Sequence, residues 1–140
     1  MEPDYSKILV VDNAEFIRMV VRLRLQASGV PPKKILEAAN GLEAYAIINA
    51  EGVGNILSDY EMETMDGIQL GVKLLIEEGR RDLRFVLFSG TPPEWVGAAM
   101  ERAGLAVPLV TKSNIRESWG SSHLISAYFP ELAATLPPMP

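Results

Sequence analysis

The sequence predicts one α/β domain, a five-stranded parallel sheet with helices on both faces. Three observations carry that expectation. Apolar, β-branched runs of strand length alternate with segments of helical period along most of the chain. The runs are continuous rather than alternating, as in strands covered on both sides. And 140 residues suffice for one packed core, hardly for two. Right-handed crossovers then leave few topologies. Ligands of such sheets bind beyond the carboxyl ends of the strands, so those ends are where function is sought.

Residues 7–11 (KILVV) read as the first strand. A helix over 14–27 follows, with Phe16, Val20, Leu23 and Ala27 as its apolar stripe and Glu15, Arg18, Arg22 and Gln26 opposite. Gly29, Pro31 and Pro32 end it. A short second strand is expected over 34–38. Asn40 then caps the second helix, with Glu43 three residues on for a reciprocal hydrogen bond. Residues 55–59 (NILSD) form the third strand. Asp66 caps a third helix with Gln69 in the same box arrangement, and Ile68, Gly71, Val72 and Leu75 line its inner face. Residues 84–88 (RFVLF) are the fourth strand.

Thr91, Pro92, Pro93 and Glu94 open the fourth helix as a capping box with proline at the first position. Val96, Ala99, Met100 and Ala103 form its stripe, beside which Trp95 is expected to be partly exposed. The fifth strand covers 107–111 and the last helix 116–129, interrupted by Gly120. Pro130 and the final LPPMP predict a tail over 130–140, which leaves a domain of residues 1–129.

Composition removes several function classes. With no cysteine there is no disulfide scaffold, thiolate zinc site or cysteine nucleophile. A single histidine, His123, excludes most triads and multi-histidine metal sites and reads as a surface helix residue. A formal charge of −5 argues against a nucleic-acid module. No apolar run approaches the ~20 residues of a membrane span, and the start MEPDYSK has no signal-peptide pattern. A cytoplasmic protein is the expectation. Gly52, Val53 and Gly54 lack the third glycine of a dinucleotide fingerprint, and no phosphate-cradling GxxxxGK[ST] loop occurs.

The strand ends carry the remaining chemistry. The first ends in Asp12 and Asn13, the third in Asp59, the fourth in Ser89 and Gly90, and the fifth in Lys112. Carboxylates, a hydroxyl and an ammonium thus reach one edge together. In this order, ILVVDN, SDYEMETMDG, FSGT and VTKS resemble the motifs of two-component response-regulator receiver domains, CheY-like stand-alone receivers among them. The resemblance covers residues 5–113. It implies a flavodoxin-like (CheY-like) fold with strand order 2-1-3-4-5, and an aspartate that accepts a phosphoryl group from a phosphohistidine with Mg2+.

Carried over by position, the resemblance makes Asp59 the phosphoacceptor, Ser89 the switch hydroxyl and Lys112 the site lysine. It assigns Asp12, Asn13 and Asp59 to the metal shell, with Glu61 contributing its backbone carbonyl. The chemistry is coherent. A carboxylate attacks an anionic phosphoryl group poorly unless cations screen both. Mg2+ needs only one or two carboxylates beside waters and substrate oxygens. A lysine ammonium pairs with phosphoryl charge as a point cation, and Gly90 leaves room for the incoming group.

Four positions depart from the family pattern. Asn13 stands where a second acid is usual; its amide oxygen still suits Mg2+, one negative charge is missing, and a helix N-cap is the rival reading. Glu63 and Ser113 replace prolines. Leu109 replaces the aromatic that usually lies three residues before the lysine. Glu63 and Asp66 read as solvated and capping residues, and Arg18, Arg22, Arg80, Arg81 and Arg84 as solvated basic positions.

The function expected is that of a single-domain response regulator, not an enzyme beyond its own phosphorylation and dephosphorylation. Its partners are a histidine kinase or histidine phosphotransfer protein and a downstream protein on the face of helix four, strand five and the last helix, with no nucleic acid and no membrane. The alternative is a phosphorylation-independent (pseudo-receiver) adaptor, which Asn13 and Leu109 favour. A Mg2+-dependent phosphohydrolase with Asp12 as nucleophile needs an acid two residues on, where Ala14 stands.

Overall fold

The structure is a computed structural model and describes residues 2–112 and 123–137. The chain runs β1 (Asp4–Val11), α1 (Glu15–Ala27), a 3-10 turn (Pro32–Lys34), β2 (Ile35–Ala38) and α2 (Gly41–Glu51). Next come β3 (Val53–Asp59) and α3 (Gly67–Gly71), which continues through a π-helical stretch (Val72–Glu77). β4 (Arg84–Ser89), α4 (Pro93–Ala103), β5 (Leu109–Thr111), α5 (His123–Tyr128) and α6 (Pro130–Ala133) complete the described elements. All pairings are parallel, in the order β2-β1-β3-β4-β5 that the resemblance implied.

Strand side chains alternate between faces, and both faces are covered. Ile8, Val10, Leu57, Val86 and Phe88 pack with Val21, Leu25, Ile125 and Phe129 on the α1 and α5 side. Leu9, Val11, Ile56, Phe85 and Leu87 pack with Ala44, Ile48, Leu70 and Val96 on the side of α2, α3 and α4. Continuous apolar strands are what a sheet buried on both sides requires. One buried polar residue stitches the sheet: Asn55 donates its Nδ2 to the carbonyls of Tyr5 and Lys7, both at 2.9 Å. This lies where the β1–β3 register shifts between Asp4 and Ile8.

The Asp66–Gln69 capping box is present in both directions. Asn40 accepts from the Glu43 amide, although Glu43 returns its bond to the Asn40 side chain rather than to its backbone. No helix among the described residues is long and apolar enough to cross a membrane.

Several expectations are corrected. The buried face of α1 is Ile17, Val21 and Leu25, one residue or about 100° from the expected stripe; Phe16, Met19 and Leu23 are exposed. Arg18 and Arg22 are not free in solvent but converge on Glu37 at 3.2 and 2.8 Å, clamping α1 to β2. Arg84 pairs with both carboxylate oxygens of Glu131 at 2.8 Å. β5 starts at Leu109 rather than 107, since Pro108 has no N–H to enter the ladder.

The expected tail is also revised. Pro130 opens α6 instead of ending the fold, and Leu132 is fully buried in the α1-side core. The first part of the expected last helix, 116–122, lies outside the described residues, as does Ser113.

Candidate functional site

β1 and β3 lie side by side at the centre of the sheet, so their ends bring Asp12 and Asp59 together. Three polar groups of Asp12 are held by hydrogen bonds. Its amide donates to the Ala38 carbonyl at 3.1 Å, its carbonyl accepts from Arg18 Nη1 at 2.6 Å, and its Oδ1 accepts from the Ala14 amide at 2.8 Å. Its Oδ2 lies 2.9 Å from Lys112 Nζ. The same ammonium lies 3.2 Å from Asp59 Oδ1 and 5.1 Å from the centre of the Phe88 ring.

Asp59 is fixed by its backbone. β3 pairs Asp59 with Phe88, and the Ser58 hydroxyl donates to the Asp59 carbonyl at 2.9 Å. Gly67 opens α3 directly against that carbonyl: a Cβ there would come within 2.1 Å of the oxygen. Only glycine allows this approach, and it ties the position of α3 to the acceptor strand. Thr64, in the connecting loop, takes φ 71°, a strained choice for a β-branched residue.

Above Asp59 opens a cavity of about 720 Å3, lined among others by Asn13, Glu61, Ser89, Gly90, Thr91 and Lys112. Asp12 is fully buried and is not part of that lining. Ser89 is buried, and its Oγ accepts from the Thr91 amide at 3.0 Å. The Glu61 side chain, on the cavity wall, accepts from Thr91 Oγ1 at 2.7 Å.

The electrostatics are unbalanced, since two buried carboxylates face one ammonium. Burial first, and the Asp12 charge second, push Asp59 up to about 6, against the pull of Lys112 and the Tyr60 amide. Burial alone would lower Lys112, but hydrogen bonds and charge from Asp12 and Asp59 outweigh it and raise the ammonium above its usual range.

The structure therefore brings together Asp12, Asp59, Ser89 and Lys112 as anticipated, with Asn13 and Glu61 at the cavity wall. Asn13 is exposed and is not the cap of α1; Ala14 holds that place without a side-chain bond. Thr91 is not a cap either. Pro93 forces the residue before it into extended backbone, so Pro92 (ψ 133°) becomes the N-cap and Thr91 stands one position too early. The proline pair was the signal that could have shown this. Arg18 is the other contributor that periodicity missed.

No three acidic or histidine side chains converge among the described residues. The donor set nonetheless fits Mg2+: hard carboxylate oxygens carry one more negative charge than Lys112 neutralises.

Comparison with known proteins gives the family and the fold. The model of the response regulator receiver domain matches residues 8–114, and the chain belongs to that family. The transcriptional regulatory protein SrrA of Staphylococcus aureus is 36% identical over 69 residues, which make up 49% of this chain and 27% of SrrA. The chain thus matches about a quarter of the length of that relative.

Among solved structures, the receiver domain of NtrX from Brucella abortus superposes with TM-score 0.70 at 22% identity, covering 90% of this chain and 98% of that one. The chemotaxis protein CheY4 of Vibrio cholerae gives 0.62 at 24% identity over 80% and 88%. These likenesses establish the CheY-like, flavodoxin-type fold.

Proposed function

We propose that the domain is a phosphorylatable receiver whose acceptor is Asp59. The observation that carries this reading is the buried Asp12–Asp59 pair sharing Lys112, with Asp59 and Lys112 lining an open cavity. A stability-driven core has no use for an uncompensated carboxylate.

An Asp59 oxygen attacks the phosphorus of a phosphohistidine, and the P–N bond breaks with its electron pair left on the imidazole. The product is a mixed acyl phosphate on Asp59; attack of water on phosphorus later restores the carboxylate and releases inorganic phosphate. At pH 7 a group titrating near 6 is largely ionised and ready to attack. Lys112 is placed to follow the charge from carboxylate to phosphoryl oxygen, and Ser89 to donate its hydroxyl to that group. Asp12 and Asp59, with Asn13 and the Glu61 carbonyl, would hold Mg2+. The bound ion supplies charge neutralisation between two anions.

No external substrate is turned over in this reading. The upstream partner is a histidine kinase or phosphotransfer protein, and output passes through protein binding at α4, β5 and α5. Exposed apolar residues support both contacts: Phe16, Met19 and Leu23 on α1, and Trp95, 68% exposed, on α4.

The test is intact mass after acetyl phosphate and Mg2+. One phosphoryl adduct is expected, absent in Asp59→Asn. No adduct at saturating donor and metal would favour the second reading, a phosphorylation-independent adaptor. The Lys112 double ion pair lends that reading support, because it holds both carboxylates without a metal.

A further inference from the structure

A second cavity, of about 660 Å3, lies at the end of β4 away from Ser89. Its origin is readable in the chain. Gly104 ends α4 at φ 74°, and Pro108 has no N–H, so the approach to β5 stays out of the ladder until Leu109. On that side β4 is paired only over Leu87, Phe88 and Ser89, and Arg84, Phe85 and Val86 border an opening instead of a strand. Facing them, α3 continues in π-helical geometry over Val72–Glu77, a wide turn that recurs at functional sites. Ile76 of that turn lines the cavity and stays 44% exposed, and Tyr128 of α5 lines it as well.

Charge in this cavity is one-sided. Among the described residues its lining holds two arginines and no acid. Arg84 is spent on Glu131, which it meets through two bonds of 2.8 Å. The Arg81 guanidinium has no ion pair or hydrogen bond among the described residues. An apolar wall beside one uncommitted cation defines the complement: an apolar body carrying one negative charge.

We infer that this cavity binds a small amphipathic monocarboxylate. Its body lies against Ile76, Phe85, Val107 and Tyr128, and its carboxylate meets Arg81. The volume falls in the range of small-molecule pockets, roughly 300–1,000 Å3. A guanidinium fork matches a carboxylate, and one free cation balances one charge rather than the nearly two of a phosphomonoester. A concave site of this size takes a single molecule, not a bilayer surface. The two cavities share no lining residue, so this site stands whether or not Asp59 accepts phosphate.

The test is a titration of the 15N-labelled full chain with sodium octanoate, followed by amide chemical shifts. Saturable shifts centred on Ile76, Phe85, Val107 and Tyr128 are expected, with half-saturation near ~1 mM, the scale of a ten-atom ligand. Two probes divide the ligand. Octanol keeps the body without the charge, and acetate keeps the charge without the body; each is expected to bind at least about tenfold more weakly.

Arg81→Ala, at an exposed position that leaves the core intact, is expected to weaken octanoate about tenfold and to leave octanol unchanged. Ile76→Trp, on the partly open wall, is expected to fill the cavity and abolish binding of both. Octanol binding as tightly as octanoate, an Arg81→Ala affinity equal to wild type, or shifts centred on α1 or on the Asp59 cavity would each overturn the inference. So would the absence of saturable shifts up to about 10 mM, a tenfold margin over the expected midpoint.

Discussion

Asn55 and Asp59 lie four residues apart on β3, both almost wholly removed from solvent, yet the fold handles them in opposite ways. Asn55 is neutral; its Nδ2 donates to two β1 carbonyls at 2.9 Å, while its buried Oδ1 has no hydrogen-bond partner. It closes a register shift and leaves the ladder intact on either side. Asp59 is ionisable, shares its one ammonium with Asp12, and is driven up to about 6. A buried neutral amide whose donor is met by two carbonyls supports a sheet even with its own oxygen unpaired. A buried charge left half-matched weakens it, and persists only where something else will bind the excess. One strand thus carries an amide tied to β1 at its middle and a half-matched carboxylate at its end.

Exchanging the two residue types should have the largest effect on stability. Asn55→Asp places a carboxylate against the Tyr5 and Lys7 carbonyls and removes both donors. The loss is expected to be about 4 kcal/mol, the range for an uncompensated buried charge. Urea unfolding at pH 7 measures it. A loss below about 1 kcal/mol, the value of one ordinary hydrogen bond, would mean the site relaxes or hydrates freely.

The reverse exchange should do the opposite. Asp59→Asn leaves Lys112 paired with Asp12 alone, one charge against one. The unphosphorylated protein is expected to gain about 2–3 kcal/mol at pH 7, following from a pKa displaced by roughly two units. A variant that is no more stable than wild type would show that Lys112 already compensates Asp59 in full.

The pH dependence follows with a definite sign. A carboxyl raised from 3.8 to about 6 holds its proton longer in the fold than in the open chain. Its favourable contribution is complete below about pH 4 and is lost as pH rises through about 6. Compared with Asp59→Asn, wild type should therefore match best near pH 4 and fall behind between pH 4 and 6, then run parallel. Melting curves of both forms across that window read the difference directly. The comparison cancels groups such as Glu131 and Asp4, whose lowered values act in the other direction.

How far the sequence showed this division is uneven, for physical reasons. Asp12, Asp59, Ser89 and Lys112 were legible because apolar runs mark where strands end, and parallel topology sends those ends to one edge. α1 was not, because apolar residues at 16, 17, 19, 20, 21, 23 and 25 surround most of the helix. Two stripes then fit a 3.6 period, and the choice falls to Arg18 and Arg22, which reach Glu37 on β2 from the flank. Pairing across 15 to 19 residues leaves no periodic trace. The same holds for Thr91, whose partner Glu61 is 30 residues away. Leu132 reads as tail because Pro130 ends one helix; that the same proline starts another depends on the core it meets.

The smallest expected effect concerns the missing charge at Asn13, and it sharpens the account of the carboxylate end of β3. Asn13 is exposed at the cavity wall and caps nothing, so Asn13→Asp gives up no helix bond. What changes is charge. At ~4 Å a unit charge gains about 1 kcal/mol in water and ~4 kcal/mol at an effective dielectric of 20. The exposed position lies toward the first figure, the divalent ion raises it, and repulsion among three carboxylates subtracts from it. The net expectation is a tenfold tighter Mg2+ affinity, ~1.4 kcal/mol, by calorimetric titration.

Without metal, the same variant should melt lower near neutral pH, because the added carboxylate deepens an imbalance that Lys112 alone does not neutralise. Tighter binding together with lower metal-free stability is the signature of a charge placed at the ion site. Unchanged or weaker binding would remove Asn13 from the metal shell and leave Asp12 and Asp59 as its only side-chain donors.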